Sequence, residues 1–179
     1  MLRLLAISGS LRAQSLNTAA LAACAALARQ PTVVTLFDGL AALPAFNPDA
    51  EEAMRRDNAA VVDLHAAVDG ADGFLFAAPE YAHGVPGALK NLLDWLVGHE
   101  NFAGKPTALI NVAPRAIHAN ASLREILSTM AAGIIADACV TLPLAGRRWE
   151  TSAILADSEC RERLETALAA VEAAARARR

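Results

Sequence analysis

The sequence alternates short, almost continuously apolar segments with longer segments in which apolar residues recur at the period of a helix. We predict the short segments as β-strands, at residues 2–8, 32–37, 73–78, 107–113 and 134–142. Strands with apolar side chains on both faces are typical of parallel sheets that are covered by helices on each side. The alternation therefore predicts consecutive βαβ units.

Five helices are predicted after these strands, at residues 16–29, 51–68, 86–97, 122–132 and 159–178. The third is the clearest, because its leucines form one apolar stripe between Pro86 and Gly98. Proline is favoured at the start of a helix and glycine just after its end. With right-handed crossovers, five strands and five helices build a three-layer α/β/α sandwich, an α/β fold.

The composition favours a single domain over residues 1–179. Of these 179 residues, 55% are hydrophobic, which is enough to bury a substantial core. No apolar run reaches the roughly 18 to 20 residues of a membrane span, so we expect no membrane partner. The net charge of −3 offers no basic surface, so a nucleic-acid partner is not expected either.

The cysteines indicate a reducing compartment. Cys24, Cys139 and Cys160 are an odd number at wide and irregular spacing, which disfavours both a disulfide framework and a zinc site. The apolar start of the chain is short, and a buried strand explains it better than a signal peptide does. We therefore expect a cytoplasmic protein without a bound metal.

Ligands of such sheets bind beyond the carboxyl ends of the strands, so the loops after strands one, three and four are candidates. The first loop, residues 8–17, leads from a strand into a helix that begins near Leu16. Its side-chain donors are Ser10, Arg12, Ser15 and Asn17. Together with the free N–H groups of a helix start, these donors suit a phosphate.

The alternative for the first loop is that its serines and asparagine only cap the helix and that Arg12 is a solvated surface charge. The loop lacks GxxxxGK[ST] and GxGxxG, which disfavours a nucleoside triphosphate site and an ordinary dinucleotide site. If the loop binds a ligand, a terminal monophosphate is the natural one.

The second loop, residues 77–91, holds two prolines and two glycines within nine residues, which fix its backbone at the end of a strand. Tyr81 is the only tyrosine in the chain. It could flank a planar ring, although an aromatic side chain in a loop more often only packs. His83 could equally be a plain surface residue.

The two loops together resemble the NADPH-dependent FMN reductase family, which includes quinone, chromate and azo-dye reductases. The matching residues are Gly9-Ser10-Leu11-Arg12 with Ser15 and Asn17, Pro79-Glu80-Tyr81, and the run from Pro86-Gly87-Ala88-Leu89-Lys90-Asn91 to Trp95. The resemblance extends from residue 2 to about residue 142. It implies a flavodoxin-like fold with a five-stranded parallel sheet of order 2-1-3-4-5.

The resemblance also implies a cofactor site for FMN. Its phosphate would be bound by the first-loop donors, with Leu16 in the same set, and its isoalloxazine would lie along Pro79, Glu80 and Tyr81. Ala82 stands where the family usually has asparagine, so only its backbone could contact the flavin.

The third loop, residues 113–120, would face the far side of the flavin through Ala113 and Pro114. Relatives commonly carry a glycine-rich stretch there, whereas this chain has no glycine between Lys105 and Gly133. Arg115 could meet a phosphate of the nicotinamide dinucleotide or an anionic substrate. A solvated arginine is the simpler interpretation.

The implied function is an NAD(P)H-dependent oxidoreductase that passes hydride from NADPH or NADH through FMN to a quinone-like or other small-molecule electron acceptor. A flavin carries hydride chemistry itself, so no catalytic side chain is expected. One alternative is a flavodoxin-type electron carrier that does not oxidise NAD(P)H. Such carriers are usually strongly acidic so that they can dock basic partners, and a net charge of −3 is small for that role. The other alternative is a regulatory domain without a cofactor. Relatives assemble with Glu80 near the interface, so we expect a homodimer or homotetramer.

Overall fold

The computed structural model describes residues 1–144 and 150–179. Its sheet consists of β1 (Leu2–Ser8), β2 (Thr32–Leu36), β3 (Gly73–Ala77), β4 (Pro106–Asn111), β5 (Gly133–Ile134) and β6 (Val140–Thr141). All the pairings are parallel, and the order is β2-β1-β3-β4-β5, with β6 also paired to β4. The predicted sheet order is therefore confirmed, with a sixth strand added.

The sixth strand arises because the predicted strand at residues 134–142 is interrupted. β5 pairs with the start of β4 and β6 with its end, while residues Ala136–Ala138 form a turn of 3₁₀ helix between them. That turn is closed by a hydrogen bond from the Cys139 N–H to the Ala136 carbonyl. Its residues are mostly small and apolar, so the apolar run did not reveal it.

Seven α-helices are described. They are α1 (Leu16–Leu27), α2 (Glu51–Asp57), α3 (Ala59–Asp69), α4 (Gly87–Leu96), α5 (Ile117–Thr129), α6 (Thr151–Ala156) and α7 (Ser158–Ala177). Helices α1, α6 and α7 pack on one face of the sheet, and α3, α4 and α5 pack on the other. The three-layer sandwich is therefore confirmed.

Alternating side chains of the strands supply the two cores. In β1, Leu4 and Ala6 enter the core shared with α1 and α7, whereas Leu5 and Ile7 enter the core shared with α3 and α4. This is the period of two that places successive strand residues on opposite faces. Because both faces are covered, the strand reads as one apolar run.

The predicted helix at residues 51–68 was wrong in one respect, because the chain forms α2 and α3 with a break at Asn58. The Asn58 Oδ1 accepts hydrogen bonds from the N–H groups of Ala60 and Val61 and so caps α3. The helical period of apolar residues continues across Asn58, so the sequence pattern did not indicate a break there. Helix α5 also begins five residues before its predicted start at residue 122, and α6 was not predicted.

Candidate functional site

The loops that follow β1, β3 and β4 border a cleft of about 440 Å³ at the carboxyl ends of these strands. This volume lies within the range of small-molecule sites, roughly 300 to 1,000 Å³. The residues that line the cleft are Ser10, Arg12, Gln14, Ser15, Leu16, Asn17, Pro79, Glu80, Tyr81, Val112, Ala113, Arg115 and Ala116. The structure thus brings the three predicted loops to one place.

Of the predicted site residues, only Ala82 and Pro114 do not line the cleft. Arg115 lines the cleft although a solvated surface charge was the simpler interpretation of it, and three lining residues were not considered at all, namely Gln14, Val112 and Ala116. Gln14 lies inside the donor-rich first loop, so its position was a usable signal. The other two are small or aliphatic residues beside the end of β4, and nothing in their chemistry distinguishes them from core residues.

The first loop is shaped by its own serines. The Ser15 Oγ accepts a hydrogen bond of 3.3 Å from the Thr18 N–H and caps α1, and the Ser10 Oγ accepts one of 3.3 Å from the Arg12 N–H. In both bonds the hydroxyl oxygen is the acceptor, so each O–H group can still donate to a ligand. Helix capping and phosphate binding are therefore compatible roles for these serines.

Asn17 is the clearest sign of an incomplete site. It is only 5% exposed, yet its Oδ1 has no hydrogen-bond partner within the described ranges. A buried polar atom without a partner is rare and costs free energy. An acceptor oxygen of a ligand cannot bond to this Oδ1, but the N–H₂ group of the same amide is a donor, and Asn17 lines the cleft.

Arg12 adds a positive charge to the part of the cleft that the first loop lines. It is exposed, and its guanidinium forms no ion pair with any carboxylate in the described part of the chain. Two hydroxyls, one amide and one guanidinium are the donors that a phosphate monoester accepts from. The residues present therefore fit the phosphate end of FMN.

Gly9 allows the first loop to pass close to α4. A Cβ added at Gly9 would lie 2.9 Å from the Leu89 Cδ2 and 3.1 Å from the Ala78 Cβ, so these neighbours would have to move to make room for it. Its N–H donates a 2.8 Å hydrogen bond to the Ala77 carbonyl at the end of β3. The absence of a side chain thus sets the distance between the first and second loops.

The second loop contains a tight turn between Tyr81 and Gly84, whose backbone groups exchange hydrogen bonds of 3.1 and 3.0 Å. The central residues, Ala82 and His83, have φ values of 49° and 59°. Asparagine adopts this left-handed backbone more readily than alanine does. The turn leaves the Tyr81 ring 58% exposed at the cleft, while Ala82 sits at the tip and outside the lining.

Two contacts join the second loop to the start of α5. The Glu80 Oε2 accepts a 2.9 Å hydrogen bond from the Ala119 N–H, and the rings of His83 and His118 stack with their centroids 4.2 Å apart. Glu80 therefore supplies a cap that α5 lacks at its own N-cap residue, Ala116. These contacts fix the width of the cleft between the second and third loops.

The second loop is also anchored to the segment after β2. The Asn91 side chain accepts a 2.8 Å hydrogen bond from the Phe46 N–H and donates one of 2.9 Å to the Pro44 carbonyl. The Trp95 Nε1–H donates to the same carbonyl at 2.9 Å. Helix α4 is thus fixed against a segment more than 40 residues away in sequence.

A histidine pair lies at the end of α4 that is opposite the second loop. The rings of His65 and His99 meet edge to face with their centroids 4.5 Å apart. Burial lowers the pKa of His65, and the charges of His99 and Arg55 lower it further, against a hydrogen bond to the Trp95 backbone. The neutral form of His65 is therefore favoured in the fold.

Neither a metal nor a membrane site emerges from the described residues. In residues 1–144 and 150–179, no three of the histidine, cysteine, aspartate and glutamate side chains are grouped so as to hold a metal ion. Over the same ranges, every helix is too short or too polar to span a bilayer.

A parallel sheet in this order, with a cleft at the carboxyl ends of its strands, defines a flavodoxin-like α/β protein. The fold matches that of the flavoenzyme NAD(P)H:(acceptor) oxidoreductase from Paracoccus denitrificans, with a TM-score of 0.75 and 24% identity over 97% of this chain and 98% of that one. The chain belongs to the NADPH-dependent FMN reductase family, whose sequence profile matches residues 2–146.

Two curated relatives support this membership. The chain is 29% identical over 176 residues to the NAD(P)H-dependent FMN reductase of Pseudomonas aeruginosa. The aligned region covers 96% of this chain and 94% of that protein. The chain is 33% identical over 132 residues to the quinone reductase of Pseudomonas putida, which covers 68% of this chain and 67% of that protein. The predicted family, the oxidoreductase class and the use of FMN with NAD(P)H are therefore confirmed.

Proposed function

We propose that this protein holds FMN in the cleft between the first, second and third loops and uses NAD(P)H to reduce quinone-like or other small oxidants. The observation that carries the proposal is the single cleft that joins the first-loop donors to the Pro79–Tyr81 segment. The quinone reductase relative supports a small planar acceptor.

The first loop would hold the phosphate of FMN. The Arg12 guanidinium would provide the charge, and the O–H groups of Ser10 and Ser15 and the N–H₂ group of Asn17 would donate hydrogen bonds. Hydrogen bonds to an anion are about twice as strong as those between neutral groups. The first loop therefore supplies most of the affinity for the charged end of the cofactor.

The second and third loops would flank the isoalloxazine ring. Pro79, Tyr81, Val112 and Ala113 all line the cleft, so the ring would meet mainly apolar surface. When bound, FMN supplies the hydride chemistry, accepting hydride from the nicotinamide and giving it to the oxidant. The residues of the chain orient the two reactants, and no side chain is required as an acid or base.

The donor and the oxidant would use the same mouth of the cleft in turn. All three loops line one cleft, so both molecules would reach the ring through it. This predicts ping-pong kinetics, with parallel double-reciprocal plots at several fixed oxidant concentrations. Intersecting plots would contradict the shared opening.

The test of the cofactor site is the retention of FMN by Arg12→Ala. We expect the variant to lose about 1.5 to 3 kcal/mol of FMN binding, because a charge-assisted hydrogen bond is removed. FMN affinity is measured by fluorescence titration of the apoprotein. The matched control is Arg29→Ala, since Arg29 is exposed and lies outside the cleft. Equal FMN affinity in both variants would remove Arg12 from the site.

The visible spectrum separates this function from its alternatives. Yellow protein that is bleached by NADPH supports a reductase. Yellow protein that NADPH does not bleach would indicate an electron carrier. Colourless protein that does not bind added FMN would overturn the cofactor site.

We also propose that residues 1–179 act as one cytoplasmic domain that assembles as a homodimer or homotetramer. Support for the assembly comes from the exposed apolar side chains Leu11, Tyr81 and Ile117, one near each of the three loops. Such side chains are frequent at subunit contacts. A monomeric mass by light scattering would refute the assembly.

A further inference from the structure

Arg115 is a cation of the cleft that FMN binding does not use. It lies in the third loop, it is exposed, and it lines the cleft. Its guanidinium forms no ion pair with any carboxylate of residues 1–144 and 150–179. Among the described residues, Arg3, Arg29, Arg124, Arg161 and Arg178 also lack ion pairs, but they lie outside the cleft. Of the described arginines, only Arg12 shares the cleft with Arg115, and Arg12 is assigned to the phosphate of FMN.

The negative charge already present in the cleft does not neutralise Arg115. Glu80 is the only carboxylate in the lining, and its Oε2 accepts the hydrogen bond from the Ala119 N–H. The phosphate of FMN would be bound by Arg12 and its neighbours in the first loop. A second guanidinium in the same cleft is therefore left for an anion that arrives with the other reactant.

The backbone around Arg115 is held in place, so the loop itself loses little conformational freedom when a ligand binds. The Ala116 N–H donates a 2.8 Å hydrogen bond to the Ala113 carbonyl, and the Ala113 N–H donates one of 3.0 Å to the Asn111 Oδ1. Pro114 fixes one further dihedral angle just before Arg115. Ordered loops lose less entropy when they bind a ligand.

The hydride donor is the reactant that always carries phosphate. Small oxidants such as quinones can be neutral, whereas NADPH bears a 2′-phosphate on its adenosine that NADH lacks. A guanidinium binds a phosphate through two parallel hydrogen bonds, and an arginine is a common partner for this 2′-phosphate. We propose that Arg115 is a specificity-determining residue that binds the 2′-phosphate of NADPH, an inference that rests on the proposed function.

The test uses FMN-loaded protein and two fragments that differ only in the 2′-phosphate, 2′,5′-ADP and 5′-AMP. We expect wild type to bind 2′,5′-ADP about tenfold or more tightly than 5′-AMP by calorimetry, and Arg115→Gln to lose this difference. The matched control is Arg124→Gln, on the exposed surface of α5 and outside the cleft, which should keep it.

Steady-state kinetics with a neutral quinone provide the second readout. In Arg115→Gln, kcat/KM for NADPH should fall about tenfold, mainly through KM, while kcat/KM for NADH stays within about twofold. Equal losses for both donors, or a loss confined to anionic oxidants, would overturn the proposal. So would FMN-loaded wild type that binds the two fragments equally, which leaves the proposed function standing. Wild type that holds no FMN would overturn both.

Discussion

The first and second loops border the same cleft but are stabilised in different ways. The first loop takes its shape from neighbours in sequence, through the hydroxyls of Ser10 and Ser15. The second loop depends on distant segments, because Glu80 bonds to α5 and Asn91 bonds to the segment after β2. Recognition of the phosphate is therefore encoded in a short stretch, whereas the wall for the flavin ring can be lost through changes far away.

The largest effect is expected from Asn91→Ala, which removes the remote support of the second loop. The variant leaves the Phe46 N–H without a partner and removes one hydrogen bond to the Pro44 carbonyl. We expect the free energy of unfolding to fall by about 2 to 3 kcal/mol, measured by urea denaturation. A loss below about 0.5 kcal/mol would mean that these bonds do not hold the loop.

Gly9→Ala tests the point where the two loops meet. The added Cβ would press against Leu89 and Ala78, so we expect a loss of about 2 kcal/mol in the free energy of unfolding. The matched control is Gly87→Ala, since a Cβ at Gly87 would have no atom within 4 Å. If both substitutions change the free energy of unfolding equally, the close contacts at Gly9 are not the cause of the change.

Ser15→Ala separates capping from ligand binding in the first loop. Loss of the cap of α1 should cost about 1 kcal/mol of unfolding free energy, and FMN affinity should fall as well. Asn58→Ala removes the equivalent cap of α3 and should cost a similar amount with FMN affinity unchanged. Both quantities come from urea denaturation and FMN titration of the same samples. If FMN affinity falls equally in Ser15→Ala and Asn58→Ala, the fall is a consequence of lost stability and Ser15 does not bind FMN.

The smallest effect is expected from mild acid, which probes the far end of α4. The pKa of His65 is lowered from 6.5 in the fold, so below about pH 6.5 the unfolded chain takes up a proton first and stability falls with pH. Asp69, whose pKa is lowered from 3.8, contributes only at more acid pH. His65→Gln should reduce the fall in the urea midpoint between about pH 7 and 5. An unchanged slope would exclude His65 as its source.

The same difference between local and remote determinants explains what the sequence could predict. The first four strands follow from patterns within a few residues and were predicted correctly, and the first-loop donors that the sequence groups together all line the cleft. The start of α5 could not be read, because its cap comes from Glu80, nearly 40 residues earlier. Helix α6 has only six residues, too few to show a helical period.

Single residues of the site also depend on tertiary structure that the sequence pattern does not show. The tight turn in the second loop gives Ala82 a positive φ, and alanine carries no sequence signal for that conformation. That Ala82 lies outside the cleft lining therefore required the structure. Arg115 was open to several interpretations in sequence, because only the fold shows which arginines share a cleft.

The divided outer strand bears on how the protein behaves at high concentration. In the described ranges, 1–144 and 150–179, the sheet beyond β4 consists of two strands of only two residues each, so this edge offers little backbone for pairing with another molecule. The opposite edge, β2, presents five residues and is the more open template. Intermolecular strand pairing, and hence aggregation, should therefore begin at β2.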